Sequence, residues 1–530
     1  MKEILLTTIL ACSLLSVSAQ DNARAVSPTP QGDIVYEAGA TVNAGKGDLA
    51  PHYIMANQEG VVTQAYSTLI HAGIAHKMDT TQRLSWGAGA KIYAGWSSSV
   101  DYKMTTYVSG ISGITLSSVT TSLHPARAWV QHAYVEGKYR GVYATLGQAP
   151  TPHSAIVNHD LSSGDLTRSG NSRPMPGLKA GFVNFQNIPF THGWVQINGE
   201  VGYYKAMDKN WINNHDNQFN HFTTTGYWVN YKNLYLRTNP NQRVVATVGM
   251  QAACQFGGTR VMREDGVVTE TIKQKANAEA FFKALIPSSG GNAEGDHYYE
   301  GNHLGSWDAA LDVKLNRANK VRLYWQSPWE DGSGIGKLNG FDGLYGIEFK
   351  SDNALNGHLK GVVVEYMDFT NQSGPIHYAP GDHEGTTLTE EATGADDYYN
   401  NYAFNGYHNL GMSIGSSMIQ GPIYNLDGYT RFADNLMRGF HVGLYGNIDH
   451  TGCWQYRVMA SHRKSWGTPF VPRIVPVEST SFMVETTWTP ACIKGMSINA
   501  RFAMDHGTLT GNNTGALLTV VYRGGFNFKK

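Results

Sequence analysis

The sequence predicts an all-β chain: a transmembrane, antiparallel up-and-down β-barrel of about 18 strands, with 16 the nearest alternative. Three observations lead there. Residues 515–530 alternate with a period of two. Leu518, Val520, Tyr522, Phe526 and Phe528 share one face with Gly524, and Thr519, Arg523, Gly525 and Asn527 share the other with Leu517 and Val521. A strand with one lipid-compatible and one polar face suits the closing strand of an outer-membrane barrel, although two lysines follow the terminal aromatic. Beyond the N-terminal segment there is no run of about 18 apolar residues, which excludes spanning helices and leaves alternating strands open. The 59 glycines, 29 tyrosines and 12 tryptophans fit tight turns and aromatic girdles.

From the N-terminus, residues 1–19 read as a cleaved secretory signal: Lys2, an apolar stretch from Ile4 to Leu15, then Val17, Ser18 and Ala19. A lipoprotein cut before Cys12 would leave a very short apolar segment, so cleavage before Gln20 is preferred. Residues 20–31, with Ser27, Pro28 and Pro30, read as a flexible periplasmic lead-in, and residues 32–530 as the barrel with long extracellular loops. In Leu84 to Trp96 every even position is apolar, and Trp86 and Trp96 stand about 33 Å apart along an extended chain, enough to reach both interfaces. Trp307, Ala309, Leu311, Val313 and Leu315 alternate with Asp308, Asp312, Lys314 and Asn316. Phe440, Val442 and Leu444 oppose His441 and Tyr445; Trp454, Tyr456 and Val458 oppose Gln455 and Arg457; Phe482, Val484 and Trp488 oppose Glu485; Ile498, Phe502 and Met504 oppose Arg501 and Asp505. A soluble sandwich rarely needs so many long strands with charge on one face and aromatics at the ends of the other. The stretches 205–222, 331–343 and 374–404 are too long for hairpin turns and are candidates for extracellular loops or plugs.

A formal net charge of −1 with 16% charged residues argues against a nucleic-acid binder. Three cysteines after cleavage, Cys254, Cys453 and Cys492, give neither a disulfide framework nor a metal motif and read as isolated small apolar residues. Gly411 to Gly415 fits G-x-S-x-G, but Gly421-Pro422 leaves no room for the helix that a nucleophile elbow requires. The run 332–340 lacks the first glycine and the hydroxyl of a phosphate loop. There is no H-E-x-x-H, and His215 and His221 read as solvated polar residues. The acidic loop with Asp382, His383, Glu384, Glu390, Glu391, Asp396 and Asp397 reads as a solvated run. No catalytic residue, metal site or cofactor is expected.

A positive signal is the mixing of rings with planar amides and charges. Sugar rings offer C–H faces to aromatics and hydroxyl rims to carboxylates, amides and guanidinium groups. On that chemistry the candidate polysaccharide-binding residues are Trp329, Glu330, Asp331, Asn371, Gln372, Tyr398, Tyr399 and Asn401.

An ordered set of segments resembles the Wzi family of capsule assembly proteins in its Bacteroides-type form. Ser169-Gly170-Asn171-Ser172-Arg173-Pro174 is similar to that family's S-G-N-x-R-P, a resemblance that adds Asn171 and Arg173 to the candidate polysaccharide-binding residues, and Gln255-Phe256-Gly257-Gly258 is similar to its Q-W-G-G. Gly193-Trp194, Gly199-Glu200, residues 234–237 and 302–306, Glu330 to Gly334, Asp342 to Gly346 and Asn371 to Pro375 follow the same pattern. The resemblance implies an 18-stranded outer-membrane barrel that holds capsular or exported polysaccharide at the cell surface as a lectin. Its expected partners are surface polysaccharide, outer-membrane lipids and the capsule export machinery. The family's Glu-His pair before Q-W-G-G stands here as Gln251-Ala252, so no single residue carries over as essential. The alternatives are a porin or substrate-specific channel, in which inward charges set solute passage, and a barrel hydrolase using Ser413.

Overall fold

The computed structural model describes residues 32–110, 113–215, 217, 220–286, 301–330, 340–351, 357–372, 377–380, 390–393 and 397–527. The signal and lead-in at 1–31, Asp331, Phe528 and most of the acidic loop at 382–397 lie outside them.

Eighteen strands form one closed antiparallel sheet. In chain order they are β1 (Ile34–Lys46), β2 (Ser67–His76), β3 (Leu84–Ser97), β4 (Ala128–Tyr139), β5 (Val142–Gln148), β6 (Gly177–Phe182), β7 (Val195–Lys205), β8 (Trp228–Thr238), β9 (Val244–Phe256), β10 (Asn302–Lys314), β11 (Asn319–Trp329), β12 (Gly343–Ser351), β13 (Gly361–Asp368), β14 (Met437–Asn447), β15 (Trp454–Gly467), β16 (Pro472–Trp488), β17 (Met496–Gly507) and β18 (Thr514–Phe526). A short continuation of β6, Gln186–Asn187, pairs with the same neighbour, β7. Each strand pairs with the next in sequence, and β18 pairs with β1 in unbroken register from Ile34↔Phe526 to Lys46↔Thr514. No edge is left open, which is the condition for a sheet in hydrocarbon.

Connections at the end holding Ile34 and Phe526 are short, such as 140–141 and 315–318, whereas those at the opposite end include 98–127, 149–176, 257–301 and 369–436. By this asymmetry the first end is periplasmic and the second extracellular. The alternation read from sequence is the alternation of lipid and lumen. On β3, Leu84, Trp86, Ile92 and Trp96 are exposed on the outer wall, while Lys91 and Tyr93 point inward and are buried. Glu485, Arg501 and Arg457 likewise point inward, and Phe482, Trp488 and Phe502 outward.

Outward aromatics gather in two belts. Towards the extracellular end Trp325, Tyr345, Tyr366 and Phe440 are register partners on β11 to β14, with successive ring centroids 6.4, 6.4 and 4.8 Å apart. Towards the periplasm Trp454 faces Trp488 at 6.2 Å, and Tyr36 lies 6.3 Å from Phe526. Rings with an apolar body and a polar tip settle at these two interfaces.

Above the extracellular rim, Val100–Gly110 and Gly113–Leu123 form a separate hairpin, and Phe222–Thr225, Gly258–Glu264 and Val267–Gln274 a three-stranded sheet. The helix Ala278–Leu285 leans on the outer wall through Phe281, which meets Tyr203, Trp228 and Phe256. Lys232 on β8 donates to the carbonyl of Ala284 at the last turn of this helix (2.8 Å). Among the described residues no disulfide forms; Cys254 is buried, and Cys492 is exposed in the periplasmic turn after β16.

The outer wall supplies a direct test. Ile92 faces lipid midway between Trp86 and Trp96, so Ile92→Arg is expected to cost about 2–4 kcal/mol in urea unfolding from lipid vesicles. Ile474→Arg, at a position fully exposed beyond the belt, should cost no more than about 1 kcal/mol.

Candidate functional site

Some of the extracellular connections do not stand away from the barrel; among the described residues, three of them enter it. Residues 47–66, 149–176 and 397–436 carry apolar side chains at intervals between polar ones, and these side chains meet inside the cylinder. Ile156, Leu166, Tyr398, Tyr399, Phe404, Tyr407, Ile414, Met418 and Phe432 form one buried cluster with the inward wall residues Val229, Tyr235, Leu304 and Tyr324. Ile54, Met55, Met412 and Ile423 form a second with Tyr93, Met483 and Leu517.

The inward charges of the wall clamp these segments. Asp165 accepts from the amides of Gln251 (3.0 Å) and Gln326 (2.6 Å), and both amides also donate to Asp308, which takes a third bond from the Tyr235 hydroxyl. Burial pushes the Asp165 carboxyl upwards from its ordinary value. Arg168 pairs with Glu200 at 2.6 Å and lies over the Tyr231 ring at 3.9 Å. Glu365 accepts from the Ser163 backbone and the Tyr324 hydroxyl, and Glu348 from Asn158. Arg322 holds Asp312 with two bonds of 2.8 Å and donates to the Ile156 carbonyl; Arg457 donates to the Asp160 carbonyl and to Glu485. His441 accepts from the Tyr53 hydroxyl at Nδ1 and donates from Nε2 to the Leu161 carbonyl, which fixes its tautomer.

The inserted segments also tie one another. Ser169 binds the backbone of Ile414 and Gly415, Asn171 donates to the Ser413 carbonyl, Asn409 to the Arg173 carbonyl, Tyr407 to the Thr167 carbonyl, and Tyr399 to the Leu166 carbonyl. Gly415 is required where these straps cross, because a Cβ there would occupy the space of the Leu166 carbonyl oxygen and the Tyr399 hydroxyl. Ser413 lies on a two-residue bridge strand that leads to a 3-10 turn at Pro422–Tyr424, not on a strand-to-helix elbow.

The candidate residues named from sequence divide between these straps and the rim. Asn171, Gln372, Tyr398 and Tyr399 are buried: Gln372 accepts from the Tyr398 backbone, Glu330 from the Tyr399 backbone, and Tyr398 donates to the Gly305 carbonyl. Trp329 is buried on the outer side of the sheet, its ring covering Gly305. Asn171, Gln372, Tyr398 and Tyr399 build the filling of the barrel, and a ligand arriving from outside meets others first. Asn371 is exposed, with its backbone N–H on Asp342 (2.6 Å), and Asn401 is half-buried against Asn302. Arg173 is half-buried, its guanidinium 4.6 Å over the Trp129 ring, with no ion pair among the described residues. It lines a recess of about 50 Å³ below Thr151, Pro152 and Met175, room for one or two waters.

Sequence reasoning missed another part of the mouth. Arg260 and Arg431 both lie over the Phe222 ring, at 5.9 and 5.8 Å, and Arg260 donates to the carbonyl of the exposed Tyr402. These residues come from three connections, and no local pattern unites them.

One buried carboxyl sits among these connections. Asp208 lies 3.2 Å from the Tyr227 hydroxyl and 4.0 Å from His408 Nδ1, and burial raises its pKa to about 7. His408 is held neutral, with its pKa lowered to about 4 by burial, and donates from Nε2 to the Thr430 carbonyl. A carboxyl whose folded pKa is raised favours folding fully below its ordinary value of 3.8, and loses that contribution as pH rises through about 7. Asp208→Asn should therefore leave stability unchanged below about pH 4 and raise it relative to the parent up to about pH 7, by at most about 1.4 kcal/mol per pH unit. Thermal unfolding across pH 4 to 8 checks the sign.

No family model matches the chain, and no curated protein matches it. Among solved structures it is similar to Wzi of Escherichia coli, an outer-membrane protein involved in group 1 capsule assembly and described as a carbohydrate-binding β-barrel. The TM-score is 0.53 at 12% identity, over 94% of this chain and 85% of that one. It is also similar to OccAB2 of Acinetobacter baumannii, at 0.44 and 8% over 93% and 99% of the two chains, and to OprD of Pseudomonas aeruginosa, at 0.41 and 8% over 95% and 99%. At such identities the likeness is one of fold: an outer-membrane barrel.

Proposed function

We propose that this barrel holds polysaccharide at the cell surface, in the manner of a capsule-assembly lectin of the Wzi kind, and carries out no catalysis. The observation that carries the reading is the filled lumen. A channel needs a continuous wet path lined by groups that exchange with solute, whereas here the wall residues Gln251, Gln326, Arg322, Glu348, Glu365 and Arg457 are committed to bonds with the inserted segments. A barrel filled in this way acts through its extracellular mouth. Its chemistry there, guanidinium groups over rings at Arg173–Trp129 and Arg260–Phe222–Arg431 beside exposed Tyr402, suits sugar hydroxyls and C–H faces. The fold likeness to a carbohydrate-binding barrel supports the same reading. Single contacts would be weak, and retention of a polymer would come from many repeats presented to many barrels.

Two measurements test it. The purified barrel should bind its own strain's surface polysaccharide in preference to unrelated glycans, with Arg173→Ala and Tyr402→Ala together weakening binding by about tenfold, roughly 1.4 kcal/mol. In planar bilayers the protein should show no steady open conductance. Steady conductance with undiminished glycan retention in the double variant would replace this reading with that of a channel.

A further inference from the structure

The periplasmic rim of β3 to β6 combines two features that the glycan reading does not use. The first is a polar recess of about 370 Å³ lined by Thr80, Gln82, Arg83, Lys138, Arg140 and Gln186 together with the turn backbone; its lining holds three cations and no carboxylate. Arg83 and Arg140 lie 5.2 and 5.4 Å from the centroid of the same ring, Tyr139, and the Arg140 backbone donates to the Arg83 carbonyl. Among the described residues Lys138 donates to carbonyls, those of Thr80 and Gln82. Among the described residues none of the three makes an ion pair. The nearby Asp79 carboxylate is engaged by the backbone N–H and hydroxyl of Thr81. Like charges gathered without a counter-charge repel one another, and an anion placed among them removes that cost.

The second feature is a trough of about 1120 Å³ on the lipid-facing wall that begins beside this recess. Its floor is a row of small outward residues in direct cross-strand register, Gly137, Ala144 and Ala180. The row on the periplasmic side is Leu84, Tyr139, Val142 and Phe182, and the row above is Val135, Leu146 and Leu178, each more than half exposed. Leu84 and Tyr139 directly adjoin Arg83 and Arg140 in the chain, so the cationic recess and the apolar trough share one wall. That wall lies where phosphate headgroups of the periplasmic leaflet meet acyl chains.

We propose that this surface is a specific site for an anionic phospholipid of the periplasmic leaflet, its phosphate between Arg83 and Arg140 and an acyl chain in the trough over Gly137, Ala144 and Ala180. Two groups set the preference: guanidinium donors for the phosphate, and a floor of missing side chains for the chain. Either half alone would give only ordinary annular lipid contact.

Native mass spectrometry of the delipidated barrel tests this, using phosphatidylglycerol, phosphatidylcholine with the same acyl chains, and inorganic phosphate as probes. Each variant is first checked for folding by heat-modifiable gel mobility. Phosphatidylglycerol should be retained about tenfold more than phosphatidylcholine. The double variant Arg83→Gln, Arg140→Gln should abolish the preference, and Ala180→Trp, which keeps both arginines and fills the trough, should weaken phosphatidylglycerol retention several-fold. If the double variant fails to fold, Ala180→Trp and the lipid comparison decide. Equal retention of the two lipids, or unchanged preference in the double variant, overturns the proposal. So does displacement of the lipid by inorganic phosphate with no effect of Ala180→Trp, which would leave a phosphate site only.

Discussion

Everything in this molecule depends on the ladder between β1 and β18. In hydrocarbon an unpaired backbone N–H or carbonyl has no water to turn to, so a sheet persists there only if its first and last strands find each other. The register from Ile34↔Phe526 to Lys46↔Thr514 does that over the whole of β1. It brings together residues at opposite ends of the chain, a long-range pairing whose entropy cost local pairings do not repay. Once the ladder closes, the two faces of every strand acquire different solvents, and the placement of Trp86 outside and Lys91 inside follows from the pleat alone.

Closure creates a second problem, which the inserted segments solve. Inward charges such as Glu365, Arg457 and Glu485 would sit in a wide aqueous lumen if the connections stayed outside. With segments 149–176 and 397–436 drawn in, those charges lose water and must be matched, since an uncompensated buried charge costs several kcal/mol. The match is made largely by backbone: Ser163 N–H on Glu365, the Asp160 carbonyl on Arg457, the Ile156 carbonyl on Arg322. Backbone partners fix where the chain runs without dictating which side chains it carries. The apolar contribution comes from the tyrosines and methionines between those points.

The strand architecture was legible in the sequence because a period of two projects directly onto the two faces of a sheet, as in Leu84 to Trp96 and Trp307 to Leu315. The count of about 18 strands followed from taking strands of about 10 residues and connections averaging about 18. The interior was not legible. Tyr398, Tyr399, Gln372 and Asn171 have the composition of a sugar platform, and they also have the composition of a polar core threaded through a charged cylinder. Only tertiary burial separates the two. A signal did exist: Ile156, Leu161, Leu166, Ile414, Met418 and Ile419 recur within stretches otherwise rich in Ser, Gly and Asn, and solvated loops have no use for such residues. Arg173 was read from its own motif and does reach the mouth, whereas Arg260 comes from the connection 257–301 and Tyr402 and Arg431 from distant points of 397–436, and they meet only after folding.

The reciprocal ties among the straps have a further consequence. Asn171 holds Ser413, Asn409 holds the backbone at Arg173, and Tyr407 holds Thr167, so neither segment can withdraw without releasing the other. Segment 149–176 is in turn fixed to walls eight strands apart, through Arg168 to Glu200 on β7 and through Asp160 to Arg457 on β15. Motion of the mouth is thereby coupled to the rigid cylinder, and the side chains at the rim are held in place before any ligand arrives. Groups already fixed by their surroundings lose little rotamer freedom on binding. Under the proposed glycan-holding role, this is the physical advantage of filling the barrel: each weak contact with the polymer keeps nearly all of its modest energy.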